Sequence, residues 1–262
     1  MKIYVLVENI THKDDVLTEH GLSIYIETAK HKILFDTGCD TAFAANAEKM
    51  GVDLGAVDIC VISHGHSDHG GGLAKFIELN KTAPIYISKL GFERYFAADG
   101  RAIGLDRELM ESGRFILTDE GIKLDEEVEL LSCNNLERTH KFGSFGLLKQ
   151  VDNELLPDDF LHEQYLLIKE NDKHILFSGC SHKGVLNIMT WLKPDVLIGG
   201  FHFMKLKTEG ADKSVLDEAV KFLNEQTASY YTCHCTGVEQ YEYIKERMPK
   251  LEYAASGDLI EL

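Results

Sequence analysis

One six-residue stretch directs the interpretation of this chain: His64-Gly65-His66-Ser67-Asp68-His69. It follows the apolar run 58–63 and precedes three consecutive glycines at 70–72, so a buried strand is predicted to end here in a tight turn. Three imidazoles and one carboxylate within this turn bring nitrogen and oxygen donors to one point, a set that suits zinc, manganese or iron. A solvated turn gains nothing from so many ligand side chains, and the stretch therefore predicts a metal site.

The pattern His-x-His-x-Asp-His resembles the signature of the metallo-β-lactamase superfamily residue for residue. The resemblance implies a pair of divalent cations, with zinc as the first expectation and manganese or iron as alternatives. In that family His64 and His66 would hold the first cation, and Asp68 and His69 the second. An open catalytic pair needs further ligands from elsewhere in the chain.

Composition is that of an ordinary globular protein. With 262 residues, 44% of them hydrophobic, the chain can build a sizeable core, and we expect a single domain over residues 1–262. No apolar run approaches the ~20 residues that cross a bilayer, and the six cysteines lack the spacing of a secreted disulfide framework. We therefore expect a cytoplasmic protein with no membrane partner. The composition indicates no oligomeric state.

The net charge bears on the partners that the chain can bind. A formal charge of −16 makes the phosphate backbone of nucleic acid an unfavourable partner. We therefore expect a small-molecule substrate and no nucleic acid.

Strand and helix patterns alternate along both halves of the chain. The first half predicts strands at 2–7, 22–28, 32–35, 58–63 and 85–88, with helices over 40–50 and 72–80. The second half predicts a hairpin of strands 165–168 and 174–177, strands at 195–198 and 229–233, helices over 183–191, 212–224 and 238–247, and one last strand. Two similar halves predict an α/β fold, the four-layer αββα sandwich of the superfamily.

The section over residues 91–160 fits this alternation poorly. It mixes a helix-like patch at 92–98 with a strand-like pair at 115–118 and 128–132, followed by a loop-rich region. We therefore expect a middle insertion or lid over 91–160.

Further ligands are expected at strand ends of the second half. His162 precedes a strand at the place where the superfamily has a histidine that completes the first site. Cys180 lies where the superfamily has a bridging aspartate or, in zinc lactamases, a cysteine. No carboxylate lies at that corner, so Cys180, His182 or both are candidates for the bridging position. A thiolate there would favour zinc over manganese or iron.

His234 follows another strand, where the superfamily places a histidine of the second site, and its neighbours Cys233 and Cys235 are expected to be buried small groups. Asp36 resembles the superfamily's first motif, in which the carboxylate orients the metal loop, although the same side chain would also suit a helix cap. His202, flanked by glycines, is expected either to serve the substrate or to be structural. The remaining histidines are expected at the surface: His12, His20, His31, His140 and His174.

Segments 160–164, 178–184, 199–202 and 234–237 resemble one branch of the superfamily, named for 7,8-dihydropterin-6-methyl-4-(β-D-ribofuranosyl)-aminobenzene-5'-phosphate synthase and containing metal-dependent hydrolases. The leading hypothesis is a dinuclear hydrolase of a small, anionic or phosphorylated ester, phosphoester or lactone. In it Asp68 accepts a proton, and His182 or His202 serves the leaving group.

Two alternatives stay open. The first is a transfer that displaces diphosphate from a dihydropterin, for which a flat aromatic slot is expected from Tyr95, Phe142, Phe145 or Phe203. The second is a non-catalytic, metal-dependent binding or sensor module, which would have closed coordination.

Overall fold

The computed structural model describes residues 1–262 and contains two seven-stranded mixed sheets, a small three-stranded sheet and six α-helices. The strands in chain order are β1 (Lys2–Val7), β2 (Ser23–Glu27), β3 (Lys32–Phe35), β4 (Ile59–Val61), β5 (Ile85–Ser88), β6 (Tyr95–Phe96), β7 (Phe115–Thr118), β8 (Gly121–Lys123), β9 (Val128–Leu131), β10 (Leu148–Val151), β11 (Glu154–Pro157), β12 (Tyr165–Glu170), β13 (Lys173–Ser178), β14 (Val196–Gly199), β15 (Ser229–Thr232), β16 (Leu251–Tyr253) and β17 (Leu259–Glu261). The helices are α1 (Ala42–Lys49), α2 (Ser67–Gly70), α3 (Leu73–Leu79), α4 (Val185–Leu192), α5 (Gly210–Glu225) and α6 (Val238–Lys245).

The two large sheets pack face to face because their central strands are apolar on both sides. Sheet one has the order β17-β1-β2-β3-β4-β5-β7, and sheet two has the order β16-β15-β14-β13-β12-β9-β8. In β12 and β13, Leu166 and Phe177 enter the core between the sheets, whereas Leu167 and Leu176 pack toward helices α4, α5 and α6. Helices α1 and α3 cover sheet one in the same way. The predicted αββα sandwich is therefore confirmed.

The predicted elements outside residues 91–160 are present, with ends that differ by one or two residues. The single last strand is the exception, because the chain end forms both β16 in sheet two and β17, which pairs with β1 in sheet one. No helix is both long and apolar enough to cross a bilayer.

The middle section contributes to all three sheets. Strand β7 pairs with β5 in sheet one, and the hairpin β8–β9 pairs with β12 in sheet two, so the two strand-like segments do not pair with each other. The helix expected at 92–98 is wrong: Tyr95 and Phe96 pair with Lys149 and Leu148 in the small sheet, a tertiary partner that outweighs local propensity. A lid over residues 91–160 stays a proposal.

Parallel pairing brings several strand ends to one edge of the sandwich. Strands β3, β4 and β5 run parallel in sheet one, and β13, β14 and β15 run parallel in sheet two. Ligands bind outside the carboxyl ends of such strands. The segments that follow β3, β4, β13, β14 and β15 carry most of the candidate site residues: Asp36, His64, His66, Asp68, His69, Cys180, His182, His202 and His234.

Candidate metal centre

A first set of donors contains three histidines that come from both sheets. His64 and His66 follow β4, and His182 follows β13; all three are buried, and one ligand atom of each lies within 4.8 Å of the others. The Nε2 atoms of His64 and His182 are 3.3 Å apart. The sequence predicts His162 and His182 as ligands; the structure groups His182 with His64 and His66, and it groups His162 with His66 and Asp158.

A second set of donors lies beside the first. It contains Asp68, His69, Cys180 and His234, again with ligand atoms within 4.8 Å of one another. His69 Nε2 lies 3.1 Å from Cys180 Sγ and 3.2 Å from His234 Nε2, and His234 Nε2 lies 3.3 Å from Asp68 Oδ2. Cys180 also groups with His182 and His202, so the thiol lies between the two sets. The bridging position stays a proposal for Cys180.

Asp36 orients ligands of both sets. The His69 Nδ1–H group donates to Asp36 Oδ2 at 2.7 Å, which leaves the His69 Nε2 lone pair free. The Ser63 hydroxyl donates to the same oxygen at 2.7 Å and therefore accepts from His64 Nδ1–H at 2.8 Å, which frees His64 Nε2 as well. The helix-cap reading of Asp36 does not hold, because α1 begins six residues later, at Ala42. Partners of this kind fix the tautomer and the angle of a metal-binding imidazole.

Asp158 orients the remaining histidine of the first set, and no sequence motif predicts it. This carboxylate follows β11, is completely buried, and has Oδ2 at 3.4 Å from His66 Nε2 and 3.1 Å from His162 Nε2. Since the Gly65 N–H donates to His162 Nδ1 at 2.9 Å, the proton of His162 lies on Nε2 and points to Asp158. Both nitrogens of His162 are thus engaged, which favours a positioning role.

We expect His162→Ala to retain the full cation content of the protein while weakening cation affinity about tenfold, because His162 holds Asp158 rather than a cation. His66→Ala, the matched control, should lose one cation per chain. Elemental analysis and titration against a competing chelator measure both quantities. A loss of one cation in His162→Ala would make His162 a ligand, as the sequence predicts.

Second-set geometry also depends on the N-terminal strand. His234 has a left-handed backbone (φ 50°), and its N–H donates to the buried carboxylate of Glu8 at 3.0 Å. Its Nδ1–H donates to Asn9 Oδ1 at 2.8 Å, so its Nε2 also faces the site as a free lone pair. His20, expected at the surface, has a 59% exposed side chain, yet its Nε2 lies 3.6 Å from Asp68 Oδ2.

The turn that carries Cys180 and His182 is anchored by Glu163. This buried carboxylate accepts from the backbone N–H groups of His182 and Lys183, at 2.6 and 3.1 Å, and from the Tyr165 hydroxyl at 2.7 Å. The turn is therefore fixed by a carboxyl group that belongs to none of the donor sets.

The donor sets fit divalent cations of the zinc class. The Nε2 atoms of His69 and His234 are 3.2 Å apart, and those of His64 and His182 are 3.3 Å apart. In His64, His69 and His234 the other ring nitrogen already donates a hydrogen bond. The facing nitrogens of His69 and His234 need a positive centre between them, either a proton or a cation; the tautomer of His182 is not fixed, because its Nδ1 has no partner. Nitrogen, sulfur and carboxylate donors together are the types that bind divalent transition-metal cations in proteins.

The charge environment agrees with this fit. Burial, together with the neighbouring imidazoles, lowers the pKa of His64 and of His182 well below the usual value, so both rings are neutral and able to bind a cation. Burial also lowers the pKa of His69, but the carboxylates of Asp68 and Asp36 outweigh it and raise that pKa to about 9. In the absence of a cation, His69 therefore holds a proton on Nε2 at neutral pH, and a bound cation would take the place of that proton.

The centre opens into a cavity of about 430 Å³. Asp68, Cys180 and His234 of the second set line it, together with His66 of the first. His202 also lines it: this residue has a left-handed backbone (φ 56°), and its buried Nδ1 has no hydrogen-bond partner. Of the aromatic residues expected to form a slot, only Phe145 lines the cavity.

Comparison with known proteins agrees with this geometry. A family model described as the metallo-beta-lactamase superfamily matches residues 18–216. The 7,8-dihydropterin-6-methyl-4-(beta-D-ribofuranosyl)-aminobenzene-5'-phosphate synthase of Methanocaldococcus jannaschii is 28% identical over 287 residues, covering 100% of this chain and 96% of that protein. An uncharacterized protein of the same organism is 28% identical over 244 residues, 90% of each chain. A solved structure described as a metal-dependent hydrolase of the beta-lactamase superfamily is 25% identical, with a TM-score of 0.85 over 100% of this chain and 99% of that one.

Proposed function

The chain belongs to the metallo-β-lactamase superfamily, and from this we propose that it is a dinuclear metal-dependent hydrolase of a small ester, phosphoester or lactone. One observation carries the proposal: two adjoining sets of oriented donors lie at the wall of an open cavity of about 430 Å³. A purely structural metal site is closed, whereas a catalytic one keeps access for a substrate. Divalent cations held there would supply Lewis acidity, acidifying water and polarising the scissile bond.

Asp68 is proposed to accept a proton during the reaction. Its side chain is 22% exposed, which makes it the most accessible member of the second set, and it lines the cavity. Although burial raises the pKa of Asp68, the imidazoles of His69 and His234 lower it well below the usual value. The carboxylate is therefore ionised at neutral pH, the form that binds a cation.

His202 is proposed to donate a proton to the leaving group. Its ring centroid lies 4.3 Å from that of His182 and 5.3 Å from that of Phe145, so the imidazole stands between the first donor set and the apolar part of the cavity. His182 already belongs to the set with His64 and His66, which makes it a cation ligand in this proposal. His202 belongs to neither the first nor the second donor set and lines the cavity, which supports a role in acid catalysis.

The middle section is proposed to act as a wall of the substrate cavity. Five of its residues line the cavity: Ala97, Arg101, Ile103, Phe145 and Leu147. The metal loop and the strand ends alone would leave this side open to solvent.

The pterin transfer is the second candidate, supported by the 28% identity to the synthase along the whole chain. The predicted aromatic slot favours it only weakly. The ring centroids of Phe142 and Phe203 are 6.2 Å apart, and those of Tyr95 and His162 are 4.0 Å apart, so these rings pack against other side chains. Of the four aromatic residues, Phe145 alone lines the cavity. One ring gives one stacking surface, whereas a slot needs two.

The test begins with metal-replete protein and three substrates, one of each class: bis(4-nitrophenyl) phosphate, 4-nitrophenyl acetate and γ-butyrolactone. We expect turnover of at least one, lost on treatment with dipicolinate and restored by zinc. His202→Ala should lower kcat roughly 10²-fold with the cation content unchanged. His174→Ala, an exposed histidine outside the cavity, should change neither quantity.

The same protein separates the alternatives. Consumption of a dihydropterin diphosphate without hydrolysis of the three esters would favour the transfer. If neither reaction occurs and added anions leave the absorption spectrum of the cobalt-substituted protein unchanged, the coordination is closed and the binding or sensor module is favoured.

A further inference from the structure

Two basic side chains line the cavity beside the metal centre: Arg101 and Lys205. The chain as a whole has 43 acidic and only 27 basic residues, yet the one carboxylate that lines the cavity, Asp68, is a candidate cation ligand. The remaining wall is therefore locally positive, against the charge of the whole protein.

Neither basic side chain has a partner elsewhere in the protein. The Arg101 guanidinium and the Lys205 ammonium make no hydrogen bond to another residue, and neither forms an ion pair, although many acidic groups are available elsewhere on the surface. Some other basic side chains are paired, for example Lys149 with Asp159 and Arg247 with Asp217, and others such as Lys173 and Lys213 are unpaired but do not line this cavity. Unpaired cations on the wall of a cavity suit an anionic ligand.

The turns that carry Arg101 and Lys205 are hydrogen-bonded to two different segments of the metal centre. Arg101 lies two residues before Ile103, whose carbonyl accepts from the Ser67 N–H of the metal loop at 2.7 Å. Lys205 adjoins Met204, whose N–H donates to the Cys235 carbonyl, next to His234, at 3.0 Å. Each basic side chain is thus carried by a turn that is hydrogen-bonded to a ligand-bearing segment.

We propose that Arg101 and Lys205 bind a second anionic group of the substrate, a phosphate or a carboxylate, while the reacting bond lies at the metal centre. This inference deepens the proposed function and rests on it for the position of the reacting bond. It narrows the substrate to molecules with an anionic group in addition to the scissile ester, phosphoester or lactone. Ile103, Phe145 and Leu147 give the cavity an apolar lining for the part between the two groups.

The experiment measures binding to the metal-replete protein by calorimetry, without turnover. The probes are methyl phosphate, which has one anionic group, propane-1,3-diyl and pentane-1,5-diyl bisphosphates, which have two, and 3-phosphonooxypropanoate, in which a carboxylate replaces the second phosphate. The variants are Arg101→Met and Lys205→Met. Arg94→Met and Lys207→Met are matched controls, because both residues lie outside the cavity lining, Arg94 in the same section as Arg101 and Lys207 on the same turn as Lys205.

We expect at least one two-anion probe to bind the unaltered protein about tenfold or more tightly than methyl phosphate. Arg101→Met and Lys205→Met should each reduce that ratio roughly three- to tenfold, and added salt should reduce it further. The controls should leave it unchanged. The stronger of the phosphate and carboxylate probes identifies the anion.

A ratio near one in the unaltered protein, or a ratio that neither variant changes, would overturn the inference. If only one of the two variants lowered the ratio, the inference that Arg101 and Lys205 both bind the anionic group would be wrong. Failure of the proposed hydrolysis is a separate result, because a protein that binds the bisphosphate through Arg101 and Lys205 but cleaves no ester keeps the anion site and loses the reaction.

Discussion

A double variant with Asp68→Ala and His69→Ala is expected to bind one divalent cation per chain where the unaltered protein binds two, and to lose hydrolysis on the order of 10³-fold or more. The two changes remove an oxygen and a nitrogen donor from the second set and leave Cys180 and His234. Two donors are fewer than the three or four protein ligands of stable zinc sites. The first set keeps all three of its histidines.

Elemental analysis gives the cation content, and thermal unfolding shows whether the variant is folded. The matched control is a second double variant, His174→Ala with Asp195→Ala. These two side chains are half exposed, with 3.7 Å between His174 Nδ1 and the Asp195 carboxylate, and they lie at the opposite ends of their strands from the site. The control should keep both cations. Two tightly bound cations in the Asp68→Ala, His69→Ala variant would contradict the ligand assignment on which the proposed function depends.

The fold was predictable because its signals are local. Strands such as β2 and β13 are short apolar runs bounded by turn residues, and helix α5 buries Leu216, Ala219 and Leu223 at helical spacing. The metal loop was predictable for the same reason, since its donors are contiguous in sequence. The segment 92–98 was not, because its strand exists only through pairing with β10.

Residues that orient the ligands were harder to predict, because they act across long sequence distances. Asp158 contacts His66 from 92 positions away, and Asn9 contacts His234 from 225 positions away. A usable signal existed for Glu8 and Asn9. Two antiparallel pairings make β1 parallel to β3, so the residues that follow β1 lie at the same edge as Asp36. For Asp158 no such pattern exists.

Choosing between His162 and His182 required side-chain geometry. Both residues lie near His66, and each fits a superfamily position by sequence. The distinction rests on one backbone donor, the Gly65 N–H, which fixes the tautomer of His162. A Cβ at Gly65 would overlap the carbonyl oxygen of Gly91, so glycine is required for this close approach.

Asp36→Ala is expected to weaken both cation sites, each by about 10- to 100-fold, although Asp36 is not itself in either donor set. Its carboxylate holds His69 directly and His64 through Ser63, so its loss frees both rings to rotate and to change tautomer. The change also leaves the buried Ser63 N–H without its acceptor, which costs roughly 1–3 kcal/mol of stability.

Two companion variants make this prediction specific. Ser63→Ala should weaken only the first set, because it cuts the link to His64 and leaves the bond between Asp36 and His69 intact. Asp36→Asn keeps the left-handed backbone (φ 60°) acceptable, but an amide NH₂ facing His69 Nδ1 would force the proton onto Nε2, the atom that faces the second set. Zinc titration against a competing chelator resolves the two dissociation constants. If Ser63→Ala weakened both sites equally, or if Asp36→Ala weakened neither, the two donor sets would not share Asp36 as their common support.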